Sequence, residues 1–240
     1  MTAVAQHRDT GDAPALAGVV RVPLHWPQFQ LWLADLGAPP PAALLATLSS
    51  AERDRAARFV FERDRRRYAA AHATLRSLLA SHLEVAPGAL EFETGEFGKP
   101  SLRSGACAFN LSHCDDDAVV LIAPGGDIGV DVEALRPMPD ALELAQRNFS
   151  REENVALRRA DAQQRDAAFL TGWTRKEACL KAIGSGLSIA PATFTAGLAH
   201  ETCRTSVPTP EGLAEVVVES RCHKDRLLLA WARVLRVRRR

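Results

Sequence analysis

An unbroken apolar run, Ala118-Val119-Val120-Leu121-Ile122-Ala123, followed by Pro124-Gly125-Gly126 and then Asp127 to Glu133, limits most tightly how this chain can fold. Two extended segments joined by such a turn predict a β-hairpin, with Asp127 to Glu133 as its second strand. Side chains alternate along a strand, so Ile128, Val130 and Val132 face one side and Asp131 and Glu133 the other. Two carboxylates placed this way can reach a common ion. Magnesium suits them, since it takes oxygen ligands, keeps several waters and is held by one or two carboxylates plus substrate phosphates. The same pair also fits the wet side of an amphipathic strand.

A second cluster lies further on, in Trp173-Thr174-Arg175-Lys176-Glu177-Ala178-Cys179-Leu180-Lys181-Ala182. No proline or glycine interrupts Trp173 to Ile183, and Gly184 and Gly186 follow as C-cap residues do, so the segment reads as a helix. Its period puts Trp173, Lys176, Glu177, Leu180 and Lys181 on one broad stripe. Charged and apolar groups sharing a face suggest a lined cleft, although Glu177 and Lys181 also suit an ordinary i, i+4 surface pair.

With Gly129-Val130-Asp131-Val132-Glu133 and Trp173-Thr174-Arg175-Lys176-Glu177-Ala178-Cys179-Leu180-Lys181, the chain resembles the surfactin-type 4'-phosphopantetheinyl transferases, whose signatures are a G-x-D-x-E strand and a W-x-x-K-E-x-x-x-K helix. The resemblance extends to Phe97-Gly98-Lys99-Pro100, to Phe109-Asn110-Leu111-Ser112-His113 and to a basic helical region from Ser49 to Tyr68. It covers about Ser49 to Phe194. The resemblance implies an α+β fold of two similar subdomains related by a pseudo-twofold axis, with coenzyme A at their interface. It places a tail at residues 1–18, expected to be disordered from its composition, an N-terminal subdomain at 19–124 and a C-terminal one at 125–240.

By the same resemblance, coenzyme A is the substrate and its phosphopantetheine arm goes to a serine of an apo acyl or peptidyl carrier protein. Arg55 and Arg67 are the candidates for the 3'-phosphate end, Lys99 for the phosphate chain, and Ser112 with His113 for the nucleotide and its phosphates. Arginine and lysine make strong charge-assisted bonds to phosphate. Asp131, Glu133 and Glu177 are the expected ligands of magnesium, or of manganese in its place. Glu177 is also the candidate base and Lys181 the group that holds the phosphate. A metal-bound carboxylate is a poor base, so the two roles of Glu177 compete. Lys176 is expected to orient Glu177 or support the helix, and Trp173 to pack beneath the site. Two departures from the family pattern stand out: Tyr68 where many relatives carry a small hydroxyl residue, and the acidic run Cys114-Asp115-Asp116-Asp117, expected to cap a turn. A magnesium-dependent nucleotide phosphohydrolase and a catalytically silent coenzyme A or carrier-protein binder are the alternatives. The first lacks a D-x-D-type nucleophile segment or a histidine-rich metal cluster, and the second would be expected to lose at least one of Asp131, Glu133, Glu177 and Lys181.

Composition agrees. The 240 residues are 47% hydrophobic and 25% charged, as in a globular chain, and 30 basic against 29 acidic side chains leave a net charge of +1 and no overall field for nucleic acid or membrane. Five cysteines, none in a C-x-x-C pair, suit reduced thiols in a cytoplasm. The N-terminus has no apolar segment of a secretory signal, and a monomer is expected.

Along the chain, Val19 to Leu33 reads as strand-like. Helices are expected at Ala42 to Thr47, Ala51 to Arg63, Asp64 to His82, from a Ser150/Glu153 capping box to Arg159, and from Asp166 to Ile183. Short strands are expected at Leu90 to Thr94 and Ala106 to Asn110, and a late strand pair at Glu215 to Ser220 with Arg226 to Val237.

Overall fold

The computed structural model describes residues 16–239. In chain order these form β1 (Val19–Val22), β2 (Gln30–Asp35), α1 (Ala42–Leu45), α2 (Ser50–Ala57), α3 (Glu62–Leu83), β3 (Phe92–Thr94), β4 (Pro100–Leu102), β5 (Ala108–Cys114), β6 (Asp117–Ala123) and β7 (Ile128–Ala134). There follow α4 (Ala141–Asn148), α5 (Arg151–Arg159), α6 (Ala162–Ile183), β8 (Cys203–Thr209), β9 (Gly212–His223) and β10 (Leu227–Arg239). The mixed helix and sheet content is that of an α+β protein. Of the tail expected at residues 1–18, the first fifteen lie outside the described residues, and Leu16 packs against the core around Trp32 and Leu79.

Two four-stranded antiparallel sheets carry the fold, in the orders β1-β2-β6-β5 and β7-β10-β9-β8. Their inner faces share one core, in which Leu31, Leu33, Val119 and Leu121 of the first sheet meet Ile128, Val130, Val132, Leu229 and Trp231 of the second. The outer face of the first sheet is covered by α3 through Leu75, Leu78 and Leu79. The outer face of the second is covered by α6 through Ala178, Cys179 and Ala182, against Val216, Val218, Ala230 and Ala232. Polar bonds also cross between the sheets: Arg226 donates to both carboxylate oxygens of Asp117 at 2.6 and 2.7 Å, and Trp26 Nε1 donates to Glu219 Oε1 at 2.9 Å.

The expected hairpin of residues 118–123 with 127–133 is not formed, because β6 and β7 belong to different sheets. Every residue of β6 is buried, as in a central strand covered on both faces, and both its edges are taken, by β2 and β5. The chain therefore leaves the sheet across Pro124 to Gly126, where Gly126 has φ +88°, and β7 pairs with β10. The hairpin actually made joins β5 to β6 through Asp115 and Asp116, with Asp115 at φ +50°, a conformation Asp tolerates better than most residues.

Other boundaries shift for local reasons. The helix expected to run to Arg63 stops at Ala57, and the chain is extended at Phe61 before α3 begins. The expected strand at Ala106 to Asn110 runs instead from Ala108 to Cys114, and β4, β8 and α4 are additional elements. The capping box forms: Ser150 N donates to Glu153 Oε2 at 2.9 Å and Glu153 N to Ser150 Oγ at 3.2 Å. The late pair β9 and β10 also forms, longer than expected. No helix among the described residues is long and apolar enough to cross a membrane.

Candidate active site

The edge strands β5 and β7 of the two sheets run side by side, and alternate residues of β5 reach across the seam. Asn110 Oδ1 accepts from Val130 N at 2.8 Å, Ser112 Oγ donates to Asp131 Oδ1 at 2.8 Å, and Cys114 Sγ lies 3.7 Å from Glu133 Oε2. The two-residue period of β5 thus sets the F-N-x-S-H segment against G-x-D-x-E.

From the outer side α6 completes the cluster. Lys181 Nζ lies 2.6 Å from Asp131 Oδ1 and 2.8 Å from Ser112 Oγ, so ammonium, hydroxyl and carboxylate form a closed triangle. Gly129 makes this approach possible: a Cβ there would stand 2.2 Å from Ala178 O and 2.3 Å from Ala182 N. The glycine of G-x-D-x-E is therefore where the backbone of α6 rests on β7, directly beside Glu177 and Lys181.

Glu177 is partly buried, and its carboxyl is pushed up from the ordinary range, first by burial and then by the charge of Asp131 and, more weakly, Glu133, with Lys181 opposing. Such a group takes a proton more readily than a free glutamate. Glu133 is held by Arg136 Nη1 at 2.7 Å. Among the described residues no group of three or more His, Cys, Asp or Glu side chains converges as a ready-made cation cage.

At the α3 side of the seam His113 is an exposed residue of β5 whose ring is nonetheless held below its ordinary value, first by partial desolvation and then by Lys181, His72 and Arg67, against the pull of Asp131. His72 in turn stacks on Tyr68 at 4.1 Å, and Tyr68 on Phe59 at 5.3 Å, so the tyrosine is one rung of an aromatic ladder. Glu52 lies beneath it. Although burial would raise its carboxyl, hydrogen bonds with His72, Ser49 and Arg76 bring it down to about 2.

Of the residues singled out from the sequence, Ser112, Asp131 and Lys181 are in direct contact, and Glu133, Glu177 and His113 border them. Arg67 lies nearby but is engaged by Asp116, its Nε 2.9 Å from Asp116 Oδ1. Lys99 Nζ donates to Ala182 O at 2.8 Å and so satisfies a carbonyl of the last turn of α6; burial lowers its basicity, and Asp127 partly restores it. Beside it lies a cavity of about 270 Å³ lined by Lys99, Phe109, Asp127, Ile128 and Gly184 but by none of the three carboxylates. Arg55 is exposed on α2, where its charge is felt at Tyr68.

Lys176 points the other way. Fully buried, it lies 2.8 Å from Glu153 Oε2, donates to the carbonyls of Pro191 and Phe194, and thereby fastens α6 to the start of α5. It supports the helix, one of its two expected roles. Trp173 packs with Phe149, Leu157 and Phe169. Sequence reasoning gave no role to Asn110, although it stands in the quoted segment, nor to His72, whose one signal is its place four residues after Tyr68 on α3.

Comparison with known proteins accords with this arrangement. Residues 127–220 match the 4'-phosphopantetheinyl transferase superfamily, and residues 41–125 match the N-terminal region described for 4'-phosphopantetheinyl transferases. The chain is 36% identical over 206 residues to the 4'-phosphopantetheinyl transferase HetI of Nostoc sp., covering 84% of this chain and 83% of HetI. It is 30% identical over 169 residues to the transferase ffp of Bacillus subtilis, covering 70% and 74%. It is 29% identical over 168 residues to Sfp of Bacillus subtilis strain 168, again covering 70% of this chain, and 73% of Sfp. The chain belongs to the surfactin-type 4'-phosphopantetheinyl transferase family.

Proposed function

We propose that the enzyme moves the phosphopantetheine arm of coenzyme A onto a serine of an apo carrier protein, releasing 3',5'-adenosine diphosphate. The observation that carries this reading is the Ser112, Asp131 and Lys181 triangle with the proton-avid Glu177 beside it, at the meeting of two sheet edges. In the transfer, a bond forms between the carrier serine oxygen and the β-phosphorus while the bond from that phosphorus to the bridging oxygen breaks. The serine hydroxyl is a weak nucleophile until its proton is taken. Glu177, whose raised affinity for protons suits a base, takes it. Lys181 extends from α6 with its side chain 30% exposed, placed to hold a phosphate oxygen. Arg67 and Arg55 supply the charge, and His113 the hydrogen-bonding ring, that receive the nucleotide phosphates, and Lys99 steadies the helix end near the phosphate chain.

The donor set fits magnesium, with manganese as its substitute. It is made of carboxylate oxygens, and Glu177, raised first by burial and then by the charge of Asp131 and Glu133, borders negative charge that a cation would offset. Asp131 and Glu133 would hold it, and when bound it neutralises charge on the leaving diphosphate. Two carboxylates suffice for an ion that keeps waters and shares phosphate oxygens, which leaves Glu177 free as the base.

The two sheets, each covered by a 22-residue helix, support the reading of two subdomains related by a pseudo-twofold axis, 19–124 and 125–240, with coenzyme A between them. The reading includes a monomer at work in the cytoplasm, which the five free cysteine thiols suit. The test is mass spectrometry of several apo carrier proteins incubated with the enzyme, coenzyme A and magnesium. A serine adduct of about 340 Da, the mass added by phosphopantetheine across a phosphoester bond, is expected, and its absence from every carrier tried would refute the reading.

A further inference from the structure

Arg67 already has an anion. Asp116, in the turn between β5 and β6, accepts from Arg67 Nε at 2.9 Å and lies 3.5 Å from Arg66 Nη2, and Asp115 adds a carboxylate 3.7 Å from Arg67 Nη1. The two partners differ in freedom: the Arg67 side chain is 15% exposed, that of Asp116 45%. The cation is held in place on α3 while the anion stands at the tip of a solvent-facing turn. The Asp116 carboxyl is kept below its usual range, chiefly by the hydrogen bond from Arg67, so it stays ionised. Further basic side chains stand around Arg67: Arg66 shares Asp116 with it, and Lys181 faces His113 together with Arg67.

A guanidinium pairs with a carboxylate or a phosphate in the same fork geometry, so a ligand phosphate that takes the Nε edge of Arg67 displaces Asp116 from it. An exposed carboxylate on a short turn gives way at little cost, since such pairs are weak. We propose that Asp116 is an internal counter-anion that competes with the ligand's 3'-phosphate for Arg67, and so limits how tightly the site retains coenzyme A and the 3',5'-adenosine diphosphate it releases. A ligand without that phosphate leaves the pair intact. The product carries the same phosphate as the substrate, so the returning carboxylate also helps to expel it. The proposal rests on the transferase reading and deepens it by naming the residue that sets coenzyme retention.

The test is Asp116→Asn in the full chain, with calorimetric titration of coenzyme A, dephospho-coenzyme A and 3',5'-adenosine diphosphate. Asparagine keeps the turn, and a melting curve verifies the fold; Asp115→Asn is the second variant, with a smaller effect in the same direction. The expected result is roughly threefold to tenfold tighter binding of coenzyme A and the diphosphate, the scale of a partly exposed ion pair, with dephospho-coenzyme A unchanged. Equal or weaker binding of coenzyme A overturns the proposal, since Asp116 would then be ordering Arg67 for the phosphate. Arg67→Ala separates the two levels of argument. If it weakens coenzyme A and dephospho-coenzyme A alike, Arg67 does not read the 3'-phosphate and this proposal falls, while the transferase reading stands or falls separately on the carrier adduct.

Discussion

Glu177 is a carboxylate placed where ionisation is unfavourable. Burial and the charges of Asp131 and Glu133 raise its proton affinity, and Lys181 offsets them in part. Its folded value thus lies above its unfolded one, so the folded state binds the extra proton. Stability from this group is greatest at low pH and is lost as pH rises through the folded value. Glu177→Gln, measured by denaturant unfolding in a chelating buffer, should therefore be more stable than the parent at neutral pH, with the gain vanishing as the medium is acidified below the ordinary carboxylate range. The same variant should lose about a hundredfold or more in turnover, the contribution of a positioned base. The parent's acid limb of kcat/KM should lie above the pKa of a free glutamate. An unchanged turnover would remove Glu177 from proton transfer. At this scale the sequence was legible for residues whose partner is another motif residue, as with Asp131, Ser112 and Lys181. It was not for Lys176, whose partners Glu153, Pro191 and Phe194 lie 15 to 23 positions away, the first legible only as a helix cap and the others in a segment with no motif of its own.

Among the elements, the seam between β7 and α6 is the contact on which the site depends, and Gly129 is its narrowest point. A methyl group there meets backbone, which cannot swing aside as a side chain can, at 2.2 and 2.3 Å. Gly129→Ala must therefore lift α6 from the sheet. It should destabilise by about 3 kcal/mol or more, at or beyond the upper end of ordinary overpacking, and should abolish transfer, because Glu177 and Lys181 move with the helix. Equilibrium unfolding together with the carrier assay checks both; a stable, active Gly129→Ala enzyme would show that the helix does not need this approach. A long period-3.6 segment and a capping box made α6 and α5 readable in advance. The pairing of β6 was not, because an apolar run followed by Pro-Gly-Gly reads as a hairpin whether the chain folds back or crosses to a second sheet. The difference lies in β5, which takes one edge of β6 from the other side of a two-residue turn, and in β2 and β10, which take the remaining edges of β6 and β7 and are distant in sequence.

For the whole molecule, surface charge is spent locally. Arg63 pairs with Asp64, Arg65 with Glu62, Arg147 with Glu143, and both Arg236 and Arg238 with Glu215, so many exposed arginines already carry a counterion and the net charge is only +1. Such a surface projects little field beyond a few ångströms. Apolar groups are available instead: Val60 is 87% and Phe61 66% exposed in the turn before α3, next to Phe59, the outer rung of the ladder that leads through Tyr68 to His72. Recognition of a carrier protein should then rest on short-range contact more than on steering. Raising ionic strength from about 0.05 to 0.5 M shortens the screening length from roughly 14 to 4 Å and should lower kcat/KM for the carrier only several fold. A thousandfold fall over the same range would reverse the argument. Charge would then dominate docking, and the basic strand β10 with Arg236 and Arg238, together with Arg55 and Arg58 on the α2 side, would become the surface to mutate.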